Sequence, residues 1–143
     1  MKCTVIVDPT CEEEIIIRVR ARDALTEQIE DLVKESNTEL IGYGEGNMVI
    51  LRPEDIYCCT VEDGRVLAHT QTGVLSLKQR LYALEELLGN RFVRINQSCL
   101  VNTAQIQRFD ASFAGALTVT LKNGYRDYIS RRQVKKVKER MGL

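Results

Sequence analysis

Short β-branched runs dominate the apolar pattern of this chain, with helical spacing confined to three places. Residues 2–8 (Lys-Cys-Thr-Val-Ile-Val-Asp) and 14–20 (Glu-Ile-Ile-Ile-Arg-Val-Arg) read as strands, with Pro9-Thr10 and an acidic run turning between them. Over residues 23–35 the period changes. Leu25, Ile29, Leu32 and Val33 fall at i, i+4, i+7 and i+8, which predicts a helix with Asp23 placed to cap it. Residues 39–43 and 47–52 read as strands around Gly44-Glu45-Gly46-Asn47. From Pro53 onward the chain is β-rich. Strands at 56–62 and 65–70 flank Asp63-Gly64, a tight-hairpin signal, and Gln71-Thr72-Gly73 turns into a short strand. Ser76 and Gln79, three apart, have the form of a capping box. They predict a helix with Leu77, Leu81, Leu84 and Leu88 on one stripe and Gly89 at its end. Further strands are expected near 92–95, 99–102, 105–111, 116–121 and 125–129, the last two joined by Asn123-Gly124. Ser130 and Gln133 form a second capping-box pattern, opening a final helix whose Val134, Val137 and Met141 face the body.

The length of 143 residues suits one domain with a small N-terminal attachment. Residues 1–45 are expected to form an acidic β-β-α extension and residues 46–143 the main domain. The five cysteines (Cys3, Cys11, Cys58, Cys59, Cys99) have no regular spacing. Cys58 and Cys59 would lie on opposite faces of a strand, there is no C-x-x-C, and His69 is the single histidine, so neither a zinc pattern nor a disulfide framework emerges. Reduced thiols are expected, no cofactor is expected, and the apolar run at the N-terminus is too short for a signal peptide. With no apolar stretch approaching the ~18 residues of a membrane span, a cytoplasmic protein is expected. The absence of tryptophan argues against a stacking platform for single-stranded nucleic acid. An enzyme fits poorly: no Ser/His/Asp set, phosphate loop or metal-ligand spacing is present.

Charge adds more. Residues 1–63 hold 6 Lys/Arg and 15 Asp/Glu, a formal −9, whereas residues 64–143 hold 14 and 5, a formal +9. The pI of 6.6 conceals this polarity. A basic half of this kind suits a polyanionic partner. Arg131 and Arg132 fall in the first turn of the final helix, where the helix dipole disfavours cations by about 0.3–1 kcal/mol each. A phosphate would reward them, and Arg can also fork to guanine O6 and N7. Pairing of one Arg with an acidic side chain of the N-terminal half is the alternative. A second candidate is Asn96-Gln97-Ser98, held between the apolar anchors Phe92, Ile95, Leu100 and Val101. Asn and Gln can bond adenine N6 and N7, but a polar turn bonding its own backbone explains the run equally well on spacing alone.

The block Phe92-Val93-Arg94-Ile95-Asn96-Gln97-Ser98-Cys99-Leu100-Val101-Asn102, then Ile106, then Val119-Thr120-Leu121-Lys122-Asn123-Gly124, then Ile129-Ser130-Arg131-Arg132, resembles the LytTR DNA-binding domain family. The family signature runs Phe-x-Arg-x-(His or Ser)-(Arg, Lys or Asn)-Ser-x-(Ile or Val)-Val-Asn, with a Leu-x-(Asn or Asp)-Gly hairpin and a Val-Ser-Arg-Arg end. The resemblance covers about residues 48–143, and the N-terminal part resembles the short extension of small stand-alone LytTR regulators. It implies a mainly β fold with few helices, in stacked antiparallel sheets, whose loops enter successive major grooves of double-stranded DNA. The family's contact positions fall on Asn96, Asn123 and Arg132, with Gln97, Ser98, Lys122 and Arg131 as neighbours. Paired DNA repeats, and with them a homodimer, are implied too. Where the family often has His-Arg or Ser-Lys, this chain has the neutral pair Asn96-Gln97, so the loop is expected to depend on bases, adenine above all. The resulting expectation is a sequence-specific regulator that bends its DNA. The competing one is a regulatory interaction module that has lost specific DNA binding. The N-terminal unit is a candidate for self-association or for a membrane or signalling partner.

Overall fold

The computed structural model describes residues 1–36, 38–111 and 116–143, with nothing said of the side chains at 35 and 36. Helix α1 (Ala24–Ser36) leads into strands β1 (Leu40–Tyr43), β2 (Met48–Leu51), β3 (Ile56–Glu62), β4 (Arg65–Thr70) and β5 (Gly73–Leu77). Helix α2 (Leu81–Leu88) follows, then β6 (Phe92–Asn96), β7 (Cys99–Asn102), β8 (Ile106–Ala111), β9 (Leu117–Leu121), β10 (Arg126–Ile129) and helix α3 (Arg131–Met141). Seven strands form one sheet in the order β2-β1-β5-β4-β3-β7-β6, and three form a second in the order β10-β9-β8. All the pairings are antiparallel. The expected class, stacked antiparallel sheets with few helices, is what the chain adopts.

Alternation along the central strands makes two cores. Cys59, Leu100 and Phe92 face one side of the large sheet, where Leu81, Leu84 and Leu88 of α2 cover them. Cys58, Val93, Ile95, Cys99 and Val101 face the other, under Val119, Leu121 and Ile129 of the small sheet and Val137 of α3. Cys58 and Cys59 therefore do point to opposite sides of β3. Strands β6 and β7 are covered on both faces, which explains their nearly unbroken apolar sequence. The β3–β4 hairpin turns at Asp63 and Gly64, both with positive φ (51° and 74°), the conformation for which Asp-Gly is suited.

Three local expectations fail for identifiable reasons. Residues 2–8 and 14–20 form no strand; the region before α1 carries only a turn at Asp8, whose carbonyl accepts the Cys11 N–H at 3.4 Å and whose carboxylate accepts both the N–H and the hydroxyl of Thr10. A lone two-stranded ribbon has nothing beneath it to bury its apolar side chains. Ser76 and Leu77 belong to β5, and α2 starts only at Leu81. Ser76 pairs with Leu67 and Tyr43, so ladder bonds on both sides override a local capping signal. Leu77 is buried all the same, from the end of a strand. At Ser130 the helix does begin, but its side chain makes no cap bond; the backbone carbonyl accepts from Gln133 and Val134 instead. The cap expected at Asp23 forms, its carboxylate accepting the Thr26 N–H at 2.8 Å and hydroxyl at 2.7 Å. Strands β1 and β2 flank the expected boundary at residue 45 and form one hairpin, so the large sheet begins at Leu40.

Candidate nucleic-acid interface

The β6–β7 loop and the start of α3 are joined by the backbone. The Ser130 N–H donates to the Ile95 carbonyl at 2.8 Å, fixing the end of β10 against β6. Asn96 completes the seam. Its amide nitrogen donates to the Tyr128 carbonyl at 2.9 Å and its oxygen accepts the Ser98 N–H at 2.8 Å. The side chain is only 2% exposed. This corrects the expectation for Asn96. With its carboxamide buried and bonded at both ends, it holds the loop and is not presented to a base. The alternative of a polar turn bonding its own backbone is the one the structure takes here. Gln97 and Ser98, the next two residues, are exposed at the loop tip.

Arg94 finishes the loop from below. Its guanidinium donates to the Asn96 carbonyl at 3.0 Å, the Gln97 carbonyl at 2.7 Å and the Glu85 carboxylate at 3.2 Å. Glu85 also lies 3.7 Å from the Lys136 ammonium, so α2, β6 and α3 meet at one carboxylate. Sequence reasoning missed this cluster. Arg94 stands in the family signature, but nothing along the chain says that its donors go to the carbonyls of the loop after it.

Above the cluster lies a cleft of about 360 Å³ whose lining includes Arg94, Gln97, Tyr128 and Arg132. Arg131 and Arg132 are exposed in the first turn of α3, and among the described residues no ion pair engages either. The positive end of the helix dipole therefore carries two guanidiniums without a carboxylate to offset them, a favourable place for an anion. Arg140, in the last turn, is committed elsewhere, donating to the Asn90 and Phe92 carbonyls at 2.7 and 3.1 Å.

Lys122 and Asn123 are exposed on the β9–β10 turn, at the far end of β10 from Ser130. The Asn123 oxygen accepts the Tyr125 N–H at 3.0 Å, and Gly124 has a φ of 87°, so the turn is closed and its tip projects. Seven residues of extended chain from Asn123 to Ser130 span roughly 20 Å. The candidate residues thus form two groups, Gln97, Ser98, Arg131 and Arg132 at one end of β10 and Lys122 and Asn123 at the other.

Beneath the turn, Tyr125 donates to Asp127 at 3.0 Å and lies 5.0 Å from the His69 ring, whose Nε2 is 2.8 Å from the Thr60 hydroxyl. Burial depresses the His69 pKa and raises that of the Tyr125 phenol. Cys58 is pushed far up by its hydrogen bond with Cys99 and by burial, and burial pushes Cys59 up to about 12. These thiols are packing groups, not nucleophiles. Among the described residues no cluster of three His, Cys, Asp or Glu could hold a metal, and no helix is long and apolar enough to cross a membrane.

The family profile of the LytTr DNA-binding domain matches residues 46–142. This chain belongs to the LytTR family. Uncharacterised HTH-type transcriptional regulators of Staphylococcus aureus strains NCTC 8325 and COL are 34% identical over 104 residues, 73% of this chain and 71% of each relative. The LytTr DNA-binding domain of a Bacillus cereus protein described as a methyl-accepting/DNA response regulator shares the fold, with a TM-score of 0.70 at 16% identity, over 75% of this chain and 99% of that one. The relatives' HTH label does not describe the LytTR architecture seen here. Helices α2 and α3 are separated by five strands and form no helix-turn-helix.

Proposed function

We propose that this chain is a sequence-specific transcriptional regulator that binds double-stranded DNA through Gln97, Ser98, Lys122, Asn123, Arg131 and Arg132. Loops enter the major grooves, with the two groups of residues at opposite ends of β10. The observation that carries the reading is that Arg131 and Arg132 are exposed at a helix N-terminus beside an exposed amide, with no ion pair to either among the described residues, in a family of DNA-binding domains. Roughly 20 Å between the groups is less than the ~34 Å of one DNA turn, so curving the duplex toward the rim shortens the groove spacing the protein must bridge. The target is expected to be a paired repeat held by a homodimer, in the cytoplasm, with the N-terminal region open to a membrane or signalling partner.

Selection of bound duplexes from a random pool, followed by a salt titration on the winner, tests this reading. A defined motif and an affinity falling linearly in log–log form, with a slope reporting several phosphates, are expected. Neutral Asn96-Gln97, where the family often carries a charge, favours one second reading, an interaction module without specific DNA binding. Enrichment of no motif at moderate salt would favour it over the first.

A further inference from the structure

The two edges of the large sheet are finished differently. At β6 the Ile95 carbonyl accepts the Ser130 N–H, the Phe92 carbonyl accepts Arg140, and the ladder shifts register between Arg94 and Asn96. At β2 none of these devices is present among the described residues. Met48-Val49-Ile50-Leu51 carries no charge and no proline, and it pairs with β1 in unbroken register. Met48 and Ile50 are 72% and 66% exposed, beside Ile41 of β1 at 47%. An uncharged, regular edge strand is a template for another strand.

The ladder says which backbone groups of β2 are free. The Gly44 N–H donates to the Asn47 carbonyl at 3.0 Å, so these two residues face each other as a hydrogen-bonded pair. Alternation from there points the N–H and C=O of Val49 and Leu51 at β1, and those of Met48 and Ile50 outward. Among the described residues no hydrogen bond engages that outward set. The free edge is also stopped on both sides. Arg52, next in the alternation, has its N–H on the Asp55 carboxylate and its carbonyl on the Asp55 N–H, both at 2.9 Å. Gly46, on the other side, has a φ of 72° and leaves the extended conformation.

Two such edges fit each other in one register. Laid antiparallel about a two-fold axis at Val49, Met48 of each copy faces Ile50 of the other, and every outward N–H and C=O of both strands is paired. An axis at Ile50 would set Met48 against Arg52, whose groups are taken, and an axis at Met48 would set Ile50 against Gly46. An axis between residues would set free groups against groups that β1 already holds. The Val49 side chain stays turned to the core under the sheet, against which it packs, so the seam asks nothing of it. On the open face, Ile41, Ile50 and Met48 of the other copy fall in one apolar row. The exposed Arg52 of each copy comes beside the exposed Glu45 in the other's β1–β2 turn, and neither makes an ion pair among the described residues. We infer that two copies of this chain join edge to edge through β2, with the two-fold axis at Val49, into one continuous sheet. The contact is isologous, so it closes at a dimer. Each strand of the seam already rests on its own sheet and core, and β6 is the opposite edge, so the β6–β7 loop and α3 stay open.

This inference rests on the homodimer proposed above and gives it a surface, and its test needs no DNA. A seam this short is a small interface, so sedimentation equilibrium of the full chain should show weak, reversible dimers in the sub-millimolar range. Met48→Pro removes only an outward N–H, a change that sheet edges tolerate, and should weaken association about tenfold or more with the urea midpoint little changed. Ile50→Lys alters an exposed side chain and should weaken it too, by setting a cation in the apolar row. Arg52→Glu brings like charges together at both ends of the seam and should weaken the dimer. Adding Glu45→Arg should restore it, whereas adding Glu62→Arg, at the β3–β4 turn, should not. A wild-type chain that stays monomeric throughout that range overturns the seam and the DNA-independent dimer together, and leaves the edge to a strand of another protein. Dimers that survive Met48→Pro or Ile50→Lys, or that Glu45→Arg fails to restore, leave the dimer reading intact and overturn this seam.

Discussion

Two side chains on the same cleft differ in what they are free to do. Asn96 bonds the Tyr128 carbonyl and the Ser98 N–H from a buried position. Asn96→Ala would strand both groups, costing about 1–3 kcal/mol of folding stability. In chemical denaturation that loss should appear without DNA, and DNA affinity should fall alike on every duplex. Arg132 is exposed and makes no ion pair among the described residues, so Arg132→Ala should leave the denaturation midpoint unchanged. It should cost about 1–3 kcal/mol of binding if the guanidinium reads a base, or lower the salt slope by about 1 if it holds a phosphate. His69 gives the chain a pH-sensitive point. Its folded pKa lies below the ordinary 6.5 because burial disfavours the imidazolium, although Glu62 pulls the other way. The unfolded chain therefore binds the proton more readily, and the stability of the buried neutral ring is lost as pH falls through the folded value. Urea midpoints should decline from about pH 7 to pH 5, and the decline should flatten in His69→Gln.

Among the elements, the β9–β10 hairpin holds two of the residues proposed to contact DNA, Lys122 and Asn123. Asn123-Gly124 announces it in the sequence, and Gly124 adopts the positive φ that this turn needs. Gly124→Ala should destabilise the protein by about 1 kcal/mol, read from thermal unfolding, and should weaken DNA binding further by displacing Lys122 and Asn123. Strands were legible wherever both neighbours in the chain pointed the same way. β3, β4 and β7 lie where alternation and turn residues put them. The failures share a cause. Ser76 and Gln79 carry a helix-start pattern, yet Ser76 is paired on both sides by β1 and β4. The ribbons at 2–8 and 14–20 carry a strand pattern but have no third layer. Local propensity yields to long-range pairing in the first case and lacks it in the second.

The whole molecule is neutral but polar, acidic before residue 64 and basic after it. In the proposed complex that asymmetry would turn the basic rim toward the duplex and the acidic region away from it. On the proposed contact the two groups of residues stand closer than one turn of straight DNA, so bound duplexes should be curved. Fluorescence energy transfer between dyes on the ends of a bound site should report a shorter end-to-end distance than for the free duplex, and an unchanged distance would limit the contact to one groove.

The linear sequence determined the class of fold, the hairpins at Asp63-Gly64 and Asn123-Gly124, the start of the last helix and the family, because each rests on residues close together in the chain. It also marked Arg131 and Arg132, since their conflict with the helix dipole is a local fact. Which of the amides is free was decided only in three dimensions. Asn96 and Gln97 are adjacent and chemically alike, and what separates them is the Tyr128 carbonyl, 32 residues away, which takes one and leaves the other exposed. The role of Arg94 was decided in the same way, by the packing of α2 and α3 around Glu85, which no spacing along the chain encodes.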